Sequence, residues 1–90
     1  MSQYATPPEE IGPQVRAILA EVGGRPNLSG VSDTDSLLTS GVVDSLAMIG
    51  LVDALERRFG ITVGDTELIP EYFDSVSAIA ALVARKTSAR

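Results

Sequence analysis

The chain reads as all-α: a small four-helix bundle, three main helices plus one short helix, with a long loop between helices one and two. Three observations predict this. Apolar residues recur at helical spacing near both ends of the chain, and between them a third segment is bracketed by a capping pair and a glycine stop. Aromatics make up only 4% of a chain that is 44% hydrophobic, so the core must be assembled from Leu, Ile, Val and Ala. The one alternating stretch, Ile61-Thr62-Val63-Gly64, is too short and has no second strand to pair with. Ninety residues make a single domain spanning residues 1–90, marginal enough that every helix must contribute an apolar face.

Residues 1–6 read as a frayed start. Thr6-Pro7-Pro8-Glu9 has the form of a helix entry, with a capping hydroxyl, prolines and a glutamate three residues on. Pro13 has no N–H for the carbonyl four residues back, so the regular helix is expected to begin near Gly12. Val15, Ile18, Leu19 and Val22 then form one face, and Gly23-Gly24 ends it. Residues 23–43 are a loop rich in turn formers, anchored by Leu28, Val31, Leu37 and Leu38. So long a loop in so small a domain points to a function.

Helix two runs from about Ser45 to Phe59, capped by Asp44 or Ser45 and ended by Gly60. Its inner stripe is read through Leu46, Ile49, Val52 or Asp53, Leu55 or Glu56, and Phe59. An extended connection follows. Asp65-Thr66-Glu67-Leu68-Ile69 reads as a short helical turn stopped by Pro70. Asp74 or Ser75 caps the last helix, whose inner face is Val76, Ile79, Ala80 and Val83, with Ala78, Ala80, Ala81 and Ala84 permitting close helix approach. Lys86 and Arg90 suit the negative end of its dipole, and residues 87–90 read as frayed.

The formal net charge of −5 argues against nucleic-acid backbones as partners and suits basic patches on proteins. No stretch approaches the ~20 apolar residues of a membrane span, and the cytoplasm is the expected location. The chain contains no cysteine and no histidine. That removes disulfides, a protein thiol nucleophile, the commonest general base and the commonest metal ligand. Asp33, Asp35 and Asp44 do not follow calcium-loop spacing, so they read as solvated loop acids or caps and no metal is expected.

Ser45 admits three readings. It is a helix cap with Asp44, which that pair alone would favour. It is a catalytic nucleophile, for which the chain offers no histidine base and a single lysine, Lys86. Or it is a site of modification. Asp44-Ser45-Leu46, followed by a helix closing on Leu55-Glu56-Arg57-Arg58-Phe59-Gly60-Ile61, resembles the phosphopantetheine attachment region of acyl and peptidyl carrier proteins. Asp35, Leu37, Gly41 and Val43 upstream, and Phe73-Asp74-Ser75-Val76 downstream, extend the resemblance over roughly residues 33–83.

The resemblance implies a carrier rather than an enzyme. Ser45 would bear 4′-phosphopantetheine derived from coenzyme A, and Asp44 would contribute to recognition by the modifying transferase, beside Leu46. The cargo would be an acyl or aminoacyl group held as a thioester. The implied partners are a phosphopantetheinyl transferase, a loading ligase or acyltransferase, and downstream biosynthetic enzymes, with the carrier itself a monomer. Val43, Met48, Arg57, Ile69 and Tyr72 are the residues expected at the partner surface. Helix two lacks the run of acids common in fatty-acid carriers, and Ala47, Met48, Gly50 and Leu51 give its first half an apolar look. Met48 is balanced between partner contact and packing on the loop, whereas for Leu51 packing is favoured. Gly41 lies four residues before Ser45, where many carriers have three. Residues 68–73 look longer than the usual link between the short and last helices. These departures point to a discrete carrier of a dedicated, secondary-metabolic pathway. The reading from another class is an unmodified helical adaptor that only binds a partner protein.

Overall fold

A computed structural model describes residues 8–23, 28 and 30–88. Four α-helices occur among them: α1 (Pro8–Val22), α2 (Ser45–Phe59), α3 (Pro70–Phe73) and α4 (Val76–Ser88), with a 3₁₀ turn at Asp65–Glu67 before α3. No strand occurs among the described residues, and Ile61–Gly64 is an extended connection whose Ile61 and Val63 are buried. Helix α1 packs against both α4 and α2, while α3 sits on α4. No described helix is long and apolar enough to cross a membrane.

The core is aliphatic with two aromatic plugs, Phe59 and Phe73. Helix α1 contributes Val15, Ile18 and Leu19 as its spacing predicts, and also Ile11. Ile11 explains why α1 starts at Pro8 and not near Gly12. A Pro inside a helix costs about 3 kcal/mol. Fully burying an isoleucine returns roughly 1.5–3 kcal/mol, so packing of Ile11 offsets much of that cost in the turn ahead of Pro13. Helix α4 buries Val76, Ile79 and Val83 as expected, plus Leu82, and leaves Ala80 half-buried. Ser75 is its cap, accepting from the Ala78 N–H at 3.0 Å. The helix continues to Ser88, with the Thr87 hydroxyl donating to the Val83 carbonyl at 2.9 Å. The expectations for residues 1–7, Gly24 and Arg90 fall outside the described residues.

The inner stripe of α2 is rotated from its sequence reading. Leu51, Leu55 and Phe59 are its buried residues, whereas Leu46 is 81% and Ile49 70% exposed. At 3.6 residues per turn, Leu46 points about 140° away from Leu51, so the two cannot share a face. Tertiary packing chose the register of Leu51, which brings Leu55 and Phe59 inward together. Pro70 likewise does more than stop the preceding turn, because it is the first residue of α3. With its ring-fixed φ and no N–H to satisfy, proline suits that position. The segment 68–73 is therefore the short helix with its approach, not a lengthened link.

The long loop is tied down at two places. Arg16 of α1 donates to the Val31 carbonyl at 2.6 Å and to Asp33 Oδ1 at 2.8 Å. At the α3–α4 corner, the Asp74 carbonyl accepts from the Leu37 N–H at 2.7 Å, and its Oδ1 accepts from the Ser36 hydroxyl at 2.8 Å. Asp74 is thus a loop clamp, while Ser75 does the capping. Leu28 and Leu37 are buried anchors and Val31 packs on the core, but Leu38 stays largely exposed.

Candidate functional site

The loop delivers the chain to α2 through a short, well-determined path. Gly41 adopts φ +79°, a left-handed turn that favours glycine. Val42 and Val43 follow, each 2% exposed, and both their N–H groups donate to the Leu37 carbonyl at 3.0 and 3.2 Å. Gly23, at the end of α1, lies hard against this segment. A Cβ there would sit 2.7 Å from the Val42 carbonyl oxygen, so only glycine permits the approach. Two buried valines and a backbone contact from α1 therefore set where Asp44 emerges.

Asp44 is the N-cap of α2. Its backbone is extended and its Oδ1 accepts from the Ala47 N–H at 2.8 Å. Of the two capping candidates the structure selects Asp44, which leaves Ser45 as the first residue of the helix. The first intrahelical bond runs from the Met48 N–H to the Asp44 carbonyl at 2.9 Å. The N–H groups of Ser45 and Leu46 precede it and have no acceptor within the helix. The first turn of α2 contains no acid. Two amide donors at the positive end of the helix dipole form a site suited to an anion.

Two hollows flank this helix start. One is a groove of about 430 Å³ between the end of α1, the Gly41–Val42 segment and the first turns of α2. The other is a smaller apolar cavity of about 150 Å³, walled by Leu38, Met48, Leu68, Ile69, Pro70 and Phe73.

The expected partner-surface residues separate in the structure. Met48 and Ile69 meet in the apolar cavity. Met48 is half-buried and packs on the core, so it serves packing while keeping an edge on that cavity. Leu51 is fully buried, as favoured. Arg57 is exposed on the second half of α2 and pairs with Asp53 at 3.3 Å. Tyr72 is half-buried, with the Arg85 guanidinium 5.1 Å from its ring centroid. Val43 is a correction. Its burial makes it a core residue that positions Asp44, and it takes no part in a surface. The apolar face beside the helix start is made instead by Leu46 and Ile49, whose exposure the wrong stripe had concealed. Leu38 and Leu68 were also missed as cavity residues. The available signal was their position: apolar residues beside turn formers, with no helical partners.

The three loop acids are engaged separately. Asp33 pairs with Arg16, Asp35 accepts from the Ser32 N–H at 2.9 Å, and Asp44 caps α2. Among the described residues no group of three His, Cys, Asp or Glu side chains is placed to hold a metal ion. The Ser32 N–H, together with the Ser32 side chain, holds the Asp35 carboxyl below its ordinary range.

Against protein-family models, residues 13–83 match the phosphopantetheine attachment site family. The chain belongs to this family. It is a carrier protein of the acyl and peptidyl carrier type, and the group it carries covalently is 4′-phosphopantetheine. A comparison with curated proteins returns no match. The start of α2 in this carrier fits the group: two amide donors free of helical acceptors for its phosphate, no acid in the first turn, and open space alongside. When bound, the group supplies the thiol that the protein itself lacks.

Proposed function

We propose that Ser45 is the attachment residue, and that this carrier holds acyl or aminoacyl groups for a dedicated biosynthetic pathway. The observation that carries the first part is the Asp44 cap, which makes Ser45 the first residue of α2 inside a phosphopantetheine attachment domain. In the modification, the Ser45 hydroxyl forms a bond to the phosphorus nearest the pantetheine of coenzyme A. The pyrophosphate bond breaks, the nucleotide leaves, and the serine proton passes to a base of the transferase. The carrier's part is to present the hydroxyl and neutralise the resulting phosphodiester with the Ser45 and Leu46 amides. Asp44 holds the helix start and meets the transferase. The carrier performs no catalysis of its own, and works as a monomer in the cytoplasm.

The dedicated-pathway reading is supported by the face of α2. Leu46 and Ile49 project beside the attachment residue, and the charges of the second half, Asp53 and Glu56 against Arg57 and Arg58, balance. A partner that relies on basic residues finds little there to bind. Leu46, Ile49, Met48, Ile69 and Arg57 are the surface that a loading ligase or acyltransferase would meet, with Tyr72 at its edge. Acceptance by fatty-acid synthase enzymes alone would refute this part.

The attachment is tested by incubating the apo protein with coenzyme A, magnesium and a broad-specificity phosphopantetheinyl transferase. Intact-mass spectrometry is expected to show one added arm on the wild type and none on Ser45→Ala, with the variant still helical by circular dichroism. No gain on the wild type would leave the unmodified adaptor as the better reading.

A further inference from the structure

We infer that the groove between the end of α1 and the start of α2 is a resting site for the near half of the phosphopantetheine arm. The inference rests on attachment at Ser45. The groove is bounded on the α2 side by Asp44, Leu46, Ala47 and Gly50, residues on either side of the attachment point, and across from them by Val22 and Gly23. A group tethered between Asp44 and Leu46 samples the groove at an effective concentration on the order of millimolar, so weak contacts suffice to hold it.

The chemistry of the lining suits this end of the arm. Next to its phosphate the arm carries a carbon with two methyl groups, then a hydroxyl and two amides. The groove offers Val22, Leu46 and Ala47 as apolar surface, and the Asp44 carboxylate and the backbone at Gly23, Gly41 and Gly50 as its polar part. Its volume of about 430 Å³ lies within the usual ~300–1,000 Å³ of small-molecule sites. The cavity on the other flank, at about 150 Å³, falls below that range and is walled by hydrocarbon. Amides placed there would lose water and gain no partner.

Gly50 supplies an independent argument. It lies inside α2, where glycine weakens a helix relative to alanine. The fold does not require it: its φ is not positive, and a Cβ would meet only the Val22 side chain at 3.5 Å, an ordinary contact. Among the described residues, none therefore fills the space that Gly50 leaves. A larger side chain would extend over Val22 into the groove. An unfilled position that costs helix stability, five residues from the attachment point, is accounted for by a chain that lies across it.

The test uses ¹³C-labelled protein carrying an unlabelled arm, with the modification verified by mass. Isotope-filtered nuclear Overhauser spectra are expected to connect the arm's paired methyls to the methyls of Val22 and Ala47. Gly50→Leu, which puts a strong helix former into α2, is expected to lose those contacts while still gaining the arm. If the wild type gains no mass, the Ser45 reading falls and this one with it. If the arm is present but its methyls contact only Leu68 and Ile69, or no protein methyl at all, this inference alone is overturned. Contacts to Val22 and Ala47 that survive in Gly50→Leu would also overturn it. The wild-type spectrum decides the matter even if the variant folds poorly.

Discussion

Two glycine-to-alanine changes on facing sides of one groove are expected to have opposite signs. At Gly23, the added Cβ would lie 2.7 Å from the Val42 carbonyl oxygen and 2.9 Å from that of Leu19. Both are backbone atoms, and Val42 is itself held by its N–H bond to the Leu37 carbonyl at 3.0 Å. Relief requires α1 to part from the loop. Such overpacking costs about 1–3 kcal/mol. The lost freedom of the unfolded chain offsets this by about 0.4–1 kcal/mol, leaving Gly23→Ala less stable by about 1–2 kcal/mol. At Gly50 the nearest atom to the new Cβ is Val22 Cγ1 at 3.5 Å, so no strain opposes the gain in helix propensity. Gly50→Ala is expected to be more stable by about 0.5–1 kcal/mol. For a domain of this size each kcal/mol moves Tm by roughly 4–8 °C, so the variants should fall on opposite sides of the wild type. Urea unfolding followed by circular dichroism reads the same quantities, provided the m-values agree. Gly23→Ala should also accept the arm more slowly, because Val42 leads directly into the Asp44 cap. A Gly23→Ala protein as stable as the wild type would refute the close approach. A destabilised Gly50→Ala would refute the claim that the fold leaves that space empty.

Further predictions concern charge. Asp44→Ala is expected to lose about 1 kcal/mol of stability with the cap, whereas Asp44→Asn, an equally good cap, should lose little. If Asp44 also serves the transferase through its charge, Asp44→Asn will be modified more slowly despite its stability. Equal rates for Asn and Asp would confine Asp44 to capping. The Glu67 carboxyl is held below its ordinary range, first by the hydrogen bond from Lys86 at 2.7 Å and then by the Gly64 N–H. Asp35 is lowered by Ser32. Because both groups are more acidic folded than unfolded, their contribution is complete above the ordinary carboxylate values. It is lost as pH falls through the lowered folded values. Urea midpoints measured from neutral pH into acid should therefore decline less steeply in Glu67→Gln and Asp35→Asn than in the wild type, and unchanged slopes would count against these contacts.

Much of this fold could be read locally. The ends of α2 follow from Asp44 and Gly60, because a capping carboxylate and a glycine free to take φ +65° act on their own helix and need no tertiary partner. The one-sided faces of α1 and α4 follow from spacing alone. The candidate site is legible for the same reason: Asp44-Ser45-Leu46 lies at a helix start that its own residues define. The partner surface was read less well. Val43 resembles a loop residue until the fold buries it with its N–H on the Leu37 carbonyl, and Leu46 resembles a core residue until Leu51 takes that place.

Sequence alone determined the fold class, the helix boundaries near strong caps, and the family to which the chain belongs. The helix boundaries are set by contacts between residues close in the chain. Tertiary structure decided the rotation of α2, the burial of Val43, the start of α3 at Pro70 and the survival of α1 through Pro13. For α1 and α2 the deciding term is burial of Ile11 and Leu51 against the other helices, which local spacing does not contain. Tertiary structure also decided the surroundings of the α2 start, with an open groove on one flank and an apolar cavity on the other. Those hollows lie between elements far apart in the chain, and local spacing carries no record of them.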